Sequence, residues 1–565
     1  MGSLPSPEDY DVLILGAGMS GMCALHHIRK TLPQLRVRVL EAAPDVGGTW
    51  YWNCYPGARF DSESVSYAFS FDKGVLDEWR WSEAFASQPE TLRYLRLVAD
   101  RLDLKKDIQF NTRVTTLHWS DERRLWKAVD EHGTVYTARF VVSCIGFLSN
   151  PTLPNIPGIA SFAGQGFHTS RWPRELQGKQ AEAALAGKRI GVIGTGATGI
   201  QTITALAQMP NIPSLTVFQR HATWTVPLRN TPLTPDQAET YRHNADSIFG
   251  LANSTPTGFL HQADPHKTAE LSLEDRLAHY ERIYNKPGMA KWLGAFSDTY
   301  TDRAANEEYS QFIAQKIKDR VHDPGLANRL VPTDHGFGLR RVPLESGYFE
   351  AFNKEHVHLV DLKETPIQTV TPGGIQTADG KEHPLDVLVY ATGFNAITGS
   401  FVDMDIRGRE GVPLMGSSAM GEKEKRNAGA SAVWMDYRPR TFLGITVPHC
   451  PNLFMVLGPH QPFGNAPRSI EHVVEVVVGL LATCADKGYT FVEPTPAAVE
   501  DWTTHVISCS DGALLNEVDS WMTGVNTNVK GRGERSVARY AGSLVEYKRR
   551  CRACQEAGWE GLEMK

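Results

Sequence analysis

Six glycines form two short loops of identical spacing, and this spacing suits the binding of a pyrophosphate. Each loop has the form Gly-x-Gly-x-x-Gly, in which glycines permit a tight turn and a close approach of the backbone to the phosphates. The pyrophosphate then lies at the N-terminus of the helix that follows. Two such loops predict two bound dinucleotides. The cofactor-binding candidates here are Gly16, Gly18, Gly21, Gly194, Gly196, Thr198 and Gly199.

The elements around each loop support this interpretation. The apolar run 10–15 predicts a strand before the first loop, a helix through about Ile28 after it, and a second strand at 37–40. The same order recurs with strands at 189–193 and 215–220 around the second loop. A strand, a glycine loop, a helix and a parallel strand form a Rossmann-type unit. The sequence therefore predicts an α/β fold with two Rossmann-type dinucleotide-binding domains.

The residue that ends the second strand differs between the two units. Glu41 lies 20 positions after the last glycine of the first loop, where a carboxylate can accept hydrogen bonds from ribose hydroxyls and would repel a 2′-phosphate. The second unit has Arg220 instead, and a guanidinium suits a 2′-phosphate. A solvated surface arginine is the alternative for Arg220. The first unit therefore suits FAD or NAD, and FAD in the first unit with NADPH in the second is the economical assignment.

The cysteine pattern argues against a flavin-linked disulfide reductase. Such enzymes carry two cysteines five positions apart soon after the first unit, where this chain has Trp50 and Tyr55, and Cys54 stands alone. Cys551 and Cys554 are interpreted as helix thiols, because no other ligand cluster accompanies them. No metal site is expected.

A twelve-residue string between the two loops is more specific than either loop. It comprises Phe162, Gly164, His168, Trp172 and Pro173 in the spacing Phe-x-Gly-x-x-x-His-x-x-x-Trp-Pro. It resembles the fingerprint of the flavin-dependent Baeyer–Villiger monooxygenases (type I), and the resemblance extends from about Asp11 to Gly561.

This resemblance implies the insertion of one oxygen atom beside a ketone carbonyl, through a C4a-peroxyflavin formed with FAD, NADPH and O₂, to give an ester or lactone. Arg341, in Gly338-Leu339-Arg340-Arg341, matches the family's catalytic arginine, and Asp61 matches its active-site aspartate, which also contacts the flavin. A plain ion pair between Asp61 and Arg341 is the alternative. Further cofactor contacts are implied for Gly48, Thr49, Trp50 and Tyr55 (flavin) and for Arg340 and Trp521 (NADP).

Several positions depart from the family pattern, namely Phe60, His221 and Asn395. The segment Met415–Ala432 is longer than the family's usual connection, so the substrate class is not implied. Two other functions stay open: oxidation of nitrogen or sulfur by a related flavin monooxygenase, and a redox-responsive binding module. Coupling of NADPH consumption to product formation separates the last from the others.

Bulk properties limit the remaining choices. A chain of 565 residues is too long for one hydrophobic core. We expect an FAD-binding domain (1–150 and 391–565), an NADP-binding domain (151–233 and 329–390) and a helical insertion (234–328).

The net charge of −6 argues against nucleic-acid binding, and no apolar run is long enough for a membrane span. We expect a cytoplasmic enzyme of a small-molecule ketone and O₂. A monomer is compatible with the sequence, which leaves the oligomeric state open. Met1–Ser6 fits a myristoylation motif, but we expect a plain leader.

Overall fold

The computed structural model describes residues 9–416 and 432–565. The strands are β1 Asp9–Leu15, β2 Val37–Leu40, β3 Ile108–Gln109, β4 Val114–Ser120, β5 Leu125–Asp130, β6 Val135–Ser143, β7 Gln165–His168, β8 Arg189–Ile193, β9 Ser214–Gln219, β10 Val226–Pro227, β11 Leu344–Glu345, β12 Val357–Asp361, β13 Ile367–Thr371, β14 Gly374–Thr377, β15 Glu382–Pro384, β16 Val387–Tyr390, β17 Asp405–Arg407, β18 Met415–Gly416, β19 Trp434–Met435, β20 Thr446–Val447, β21 Cys450–Met455, β22 Val492–Pro494 and β23 Leu562–Met564.

The helices are α1 Met19–Thr31, α2 Thr49–Trp52, α3 Lys73–Glu78, α4 Gln88–Arg101, α5 Gly178–Leu185, α6 Ala197–Gln208, α7 Pro235–His243, α8 Ala245–Ser254, α9 Leu273–Asn285, α10 Ala290–Leu293, α11 Arg303–Lys318, α12 Pro324–Leu330, α13 Tyr348–Ala351, α14 Ala466–Lys487, α15 Pro496–Ser508 and α16 Leu544–Glu556.

The first glycine loop belongs to a nine-stranded sheet within the described part of the chain. Its main order is β17-β4-β5-β6-β1-β2-β3, and β21 returns from far along the chain to pair with β6. β1 runs parallel to both β2 and β6, as the first Rossmann-type unit requires. Val12, Leu13 and Ile14 of β1 are fully buried, and each such side chain contributes about 1.5–3 kcal/mol to folding. The sheet thus fixes the position of the loop that follows β1.

The second glycine loop belongs to a five-stranded parallel sheet with the order β12-β9-β8-β16-β7. Its edge strand β7 is made of fingerprint residues, because Gln165–His168 pair in register with Val387–Tyr390. The fingerprint is therefore part of the second nucleotide-binding sheet.

A group of helices, α7 to α12, separates β10 from β11. Among them, α9 is capped by Ser272, whose hydroxyl accepts a hydrogen bond from the Asp275 N–H at 3.2 Å. These helices occupy most of the predicted insertion, 234–328.

Two sequence predictions fall largely outside the described residues: the leader Met1–Ser6 and the segment Met415–Ala432, of which Met415 and Gly416 form the short strand β18. Across residues 9–416 and 432–565, no helix combines the length and apolar character needed to cross a bilayer. All eight cysteines are free, and Cys509 is the one that is not fully buried.

Candidate active site

Asp61 and Arg341 lie together although 280 residues separate them in sequence. Arg341 Nη1 is 2.6 Å from Asp61 Oδ2, and the same oxygen accepts a hydrogen bond from the Leu344 N–H at 3.3 Å. The Asp61 side chain is 2% exposed and the Arg341 side chain 30% exposed. Asp61 Oδ1 is buried without a hydrogen-bond partner among the described residues. A buried carboxylate oxygen of this kind normally has a hydrogen-bond partner. We therefore expect a bound ligand or water to donate a hydrogen bond to Asp61 Oδ1.

The first glycine loop has the close contacts that its spacing predicts. Gly16 has φ +100°, and a Cβ there would lie 2.7 Å from the Cys144 carbonyl oxygen. A Cβ on Gly48 would lie 2.8 Å from the Gly18 Cα, and one on Gly21 would overlap the Gly16 carbonyl oxygen. Helix α1 starts at this loop with no side-chain cap and no acidic residue in its first turn. Its N–H groups are therefore open to an anion.

Glu41 is buried at the end of β2, as the ribose-binding prediction requires. Its two carboxylate oxygens accept hydrogen bonds from Ala17 N at 2.5 Å and Ala43 N at 2.7 Å. Burial raises the pKa of this carboxyl, and the two backbone N–H groups oppose that shift. Each carboxylate oxygen has a second lone pair, so the side chain can still accept from ribose hydroxyls.

The predicted flavin-contacting segment forms α2 and the turn after it. Thr49 and Trp50 begin α2 directly after Gly48, and Trp50 Nε1 donates to the Tyr67 hydroxyl at 3.3 Å. The Tyr55 hydroxyl donates to Gln201 Oε1, on helix α6 of the second unit, at 2.8 Å. Burial raises the pKa of Tyr55, and the charge of Asp61 adds to this effect. Gln201 thus joins the two nucleotide units, a role that no sequence signal indicated.

The second glycine loop also leads into a helix whose N-terminus has no side-chain cap. A Cβ on Gly194 would lie 2.5 Å from the Ala391 carbonyl oxygen, and one on Gly199 would lie 3.3 Å from the Ala391 Cβ and closer still to Gly194. A Cβ on Gly196, in contrast, would meet nothing within 4 Å. The Thr198 hydroxyl accepts from Thr169 at 3.2 Å. Gly196 therefore borders free space at the uncapped N-terminus of α6.

Arg220 and Arg340 form a positively charged group at the end of β9. Burial, followed by the charge of Arg340, lowers the pKa of Arg220. Arg220 donates to the Thr527 hydroxyl at 2.9 Å, whereas Arg340 Nη2 lies 3.5 Å from Asp334. Contact with His221, whose Nδ1 lies 2.9 Å from Asp334 Oδ2, is the largest of several effects that hold the pKa of Asp334 well below its usual range. Arg340 thus has a carboxylate partner and Arg220 has none among the described residues, which leaves positive charge where a 2′-phosphate was predicted.

The side chain of His168, in the fingerprint, is buried and hydrogen-bonded to backbone groups. It is 6% exposed, donates from Nε2 to the Gly393 carbonyl oxygen at 3.0 Å and accepts at Nδ1 from the Ser170 N–H at 3.1 Å. Burial lowers the pKa of His168 to about 4, so it is neutral at pH 7. Trp172 is also buried and donates to the Leu176 carbonyl oxygen at 2.6 Å.

The chain crosses between the two sheets twice, and the crossings are hydrogen-bonded to each other. Thr152 N donates to the Gly393 carbonyl oxygen at 2.9 Å, and Asn395 N donates to that of Asn150 at 2.8 Å. Gly393, the partner of His168, therefore lies in the second crossing. Contact with His168 links the fingerprint to this connection.

Trp521 lies in a short 3₁₀ turn beside the crossings. Its ring packs with Phe147 at a centroid distance of 6.5 Å, and Phe147 stacks on Phe463 at 4.5 Å. Ala396 and Ile397 of the second crossing belong to the same apolar cluster. Ile397 has φ +58°, a strained conformation for a β-branched residue, and strain of this kind is concentrated at functional sites.

Comparisons with known proteins place the chain among flavin-dependent monooxygenases. A family model described as flavin-binding monooxygenase-like matches residues 10–229. A 2-oxo-Δ3-4,5,5-trimethylcyclopentenylacetyl-CoA monooxygenase from Pseudomonas putida is 40% identical over 98% of this chain and 98% of its own. A Baeyer–Villiger monooxygenase from Pseudooceanicola batsensis is 36% identical, and a phenazine N-monooxygenase from Lysobacter antibioticus is 38% identical. Each of these two matches covers 98% of this chain and 96% of the relative. The crystal structure of OTEMO in complex with FAD and NADP superposes with a TM-score of 0.90 at 39% identity, covering 99% of this chain and 100% of that one.

Proposed function

Because the chain belongs to the Baeyer–Villiger monooxygenase family, we propose that Asp61 and Arg341 form the oxygen-insertion site of an NADPH- and FAD-dependent ketone monooxygenase. The enzyme inserts one oxygen atom next to a ketone carbonyl and releases an ester or lactone. The observation that carries the assignment of the site is the 2.6 Å contact between Asp61 and Arg341.

FAD and NADPH, when bound, supply the reducing electrons and the centre that activates O₂. The N-terminus of α1, Gly18, Glu41 and the start of α2 would hold the first dinucleotide. The N-terminus of α6, Gly196, Arg220 and Arg340 would hold the second, and Trp521 would contact it. The open space at Gly196 and the surplus charge of the two arginines support this division.

Arg341 acts on the charge that develops during the reaction. A guanidinium remains protonated at any working pH, so it can stabilise the negative charge on the ketone oxygen once the carbonyl is attacked. Asp61 holds the guanidinium in place, and Leu344 N orients the Asp61 carboxylate. Asp61 is thus both a site residue and the positioning partner of Arg341.

The fingerprint residue His168 has a positioning role in this proposal. It is buried, neutral and hydrogen-bonded to Gly393, so proton transfer to substrate is not assigned to it. Because His168 lies in the edge strand of the second sheet and Gly393 in a crossing, their bond couples the position of the second sheet to the connection with the first. Such coupling gates the approach of the second nucleotide to the flavin.

We further propose the domain boundaries given by the sequence: an FAD-binding domain (1–150, 391–565), an NADP-binding domain (151–233, 329–390) and a helical insertion (234–328). The membership of the two sheets supports them. A cytoplasmic location is proposed as well, and the eight free cysteines support it.

Oxidation of nitrogen is the second candidate function, because a phenazine N-monooxygenase is 38% identical over nearly the whole chain. The deciding experiment incubates the enzyme with NADPH, ¹⁸O₂ and a panel of ketones, sulfides and amines, followed by mass spectrometry. Labelled ester or lactone supports carbonyl insertion. Labelled N-oxide or sulfoxide with no ester, from a panel that includes cyclic and linear ketones, would favour the second candidate.

A further inference from the structure

A cavity of about 330 Å³ lies where helix α4 meets the segment that follows the fingerprint. Its volume is at the lower end of the range for small-molecule sites. Three arginines and two glutamines provide its polar lining: Gln88, Arg93, Arg96, Arg174 and Gln177. Neither glycine loop contributes to it.

The positive charge of this cavity is only partly neutralised. Arg96 pairs with Asp45 at 2.7 Å. Arg174 donates to the Tyr51 carbonyl oxygen, and its guanidinium carbon lies 3.4 Å from the Tyr51 ring centroid, so its charge meets no carboxylate there. Arg93 is exposed and has no hydrogen bond or ion pair to any residue in the described ranges.

The acids close to Arg93 and Arg174 in sequence do not compensate for the charges of these two arginines. Glu90, in the first turn of α4, accepts hydrogen bonds from the Ser82 N–H at 2.7 Å and the Ser82 hydroxyl at 2.9 Å. Glu175 is exposed and forms no ion pair within the part of the chain that the structure describes. Two guanidinium groups are thus left without an acidic partner around one cavity.

The walls of the cavity come from two regions, helix α4 and the segment after the fingerprint, and both contact α2. Buried Gln88 donates to the Trp50 carbonyl oxygen, and Arg174 donates to that of Tyr51, so both contact α2, the proposed flavin-contacting helix. Arg174 also lies two residues after Trp172 of the fingerprint. An occupant would therefore touch α4 and the segment after the fingerprint at the same time.

We propose that this cavity binds a small phosphate-bearing anion at a site separate from the two dinucleotide loops. The planar fork of arginine matches phosphate oxygens with paired, charge-assisted hydrogen bonds. Arg93 comes from α4 and Arg174 from the segment after the fingerprint, and Gln88 and Gln177 supply neutral polar groups. The anion ties the segment after the fingerprint to the flavin-side helices.

Isothermal titration of pyrophosphate into the FAD-loaded enzyme saturated with NADP⁺ tests this site. We expect one saturable site per chain. Arg93→Gln and Arg174→Gln should each weaken binding about tenfold or more, as loss of a hydrogen bond to a charged group does. Arg101→Gln is the matched control, because Arg101 lies on the same helix but pairs with Glu78 at 2.9 Å outside the cavity. It should bind pyrophosphate like the wild type.

Three results would overturn the proposal. The first is the absence of saturable binding to the loaded enzyme. The second is binding seen only before FAD and NADP⁺ are added, which would place pyrophosphate in the dinucleotide loops. The third is an equal loss in Arg101→Gln, which would mean a diffuse charge effect. Arg93→Gln removes an exposed side chain without a partner, so this variant keeps the test valid if Arg174→Gln does not fold.

Discussion

Asp61 offers Arg341 only one of its two carboxylate oxygens. Oδ2 lies 2.6 Å from Nη1 of Arg341, whereas Oδ1 is buried and has no hydrogen-bond partner in the described part of the chain. The same nitrogen also donates to the Val342 carbonyl oxygen at 3.1 Å, so both contacts are made by Nη1, unlike a two-point fork that would occupy two nitrogens. The pair can therefore hold Arg341 at the site while its remaining N–H groups turn toward a ligand.

Replacing Arg341 with Ala should abolish ester formation and leave FAD bound. The guanidinium stabilises developing negative charge, and loss of such a group typically costs about 10²–10³-fold in rate. Flavin absorbance checks FAD content, anaerobic reduction by NADPH checks electron transfer, and mass spectrometry checks product. An ester yield like that of the wild type would contradict the role of Arg341.

Replacing Arg220 with Ala should weaken NADPH binding much more than NADH binding, because only NADPH carries the 2′-phosphate. A lost hydrogen bond to a charged group costs roughly 1.5–3 kcal/mol, or about 10- to 150-fold. KM values for both nucleotides measure the effect. Arg189→Ala is the control, since Arg189 pairs with Asp386 at 2.9 Å at the start of β8. An equal loss for NADPH and NADH would rule out recognition of the 2′-phosphate.

Alanine at Gly196 and at Gly199 should have different consequences. Gly196 has φ −75°, which alanine adopts, and its Cβ would enter open space at the helix end. We expect a folded Gly196→Ala variant with NADPH binding weakened about tenfold, the cost of a lost charge-assisted hydrogen bond. Gly199→Ala should destabilise the fold itself, because its Cβ meets the Gly194 backbone and Ala391. Thermal melting and nucleotide titration separate the two effects. Unchanged NADPH affinity in Gly196→Ala would exclude the loop from binding.

His168 should make folding less favourable as the pH falls from about 6.5 to 4. The unfolded imidazole takes up a proton below its ordinary pKa of about 6.5, whereas the folded one does so only near its lowered pKa of about 4. The unfolded state therefore binds more protons in this window, and stability rises with pH there. The shift corresponds to about 3 kcal/mol.

Denaturant unfolding of the wild type and His168→Gln at pH 7 and pH 4.5 measures this contribution. Glutamine can still donate to Gly393 but does not titrate, so the variant should lose less stability on acidification. Other buried histidines, such as His460, affect both proteins alike. Identical pH dependence in both proteins would show that His168 does not carry this charge penalty.

The Rossmann-type units and the inserted helices could be predicted from the sequence, because glycine spacing and apolar periodicity are local signals. The longest described helix, α14, was missed. Its run of valines at 473, 474 and 476–478 favours strands by propensity, and packing against α1 overrides this preference. The cap residue Asn465, Pro467 in the first turn and Gly488 at the end were the signals that could have indicated it.

Long-range contacts had no comparable sequence signal. The bond between Tyr55 and Gln201 joins two side chains that are ordinary in their own segments. β7 is only four residues long, and its place beside β16 depends on a strand more than 200 residues later. The Asp61–Arg341 pair was expected from the family resemblance, since sequence spacing alone could not bring these residues together.

The crossings at Asn150–Thr152 and Gly393–Asn395 connect the two sheets and are hydrogen-bonded to each other, as an inter-domain hinge would be. One antiparallel bridge, between Pro151 and Phe394, and the backbone hydrogen bonds beside it oppose sliding of the two segments past each other, whereas so short a pair resists bending less. We therefore expect any relative motion of the two sheets to take place mainly by bending at these crossings. We expect a substitution in these crossings to change the relative motion of the two sheets. It would thereby change the time that the nicotinamide spends at the flavin, without contacting either nucleotide.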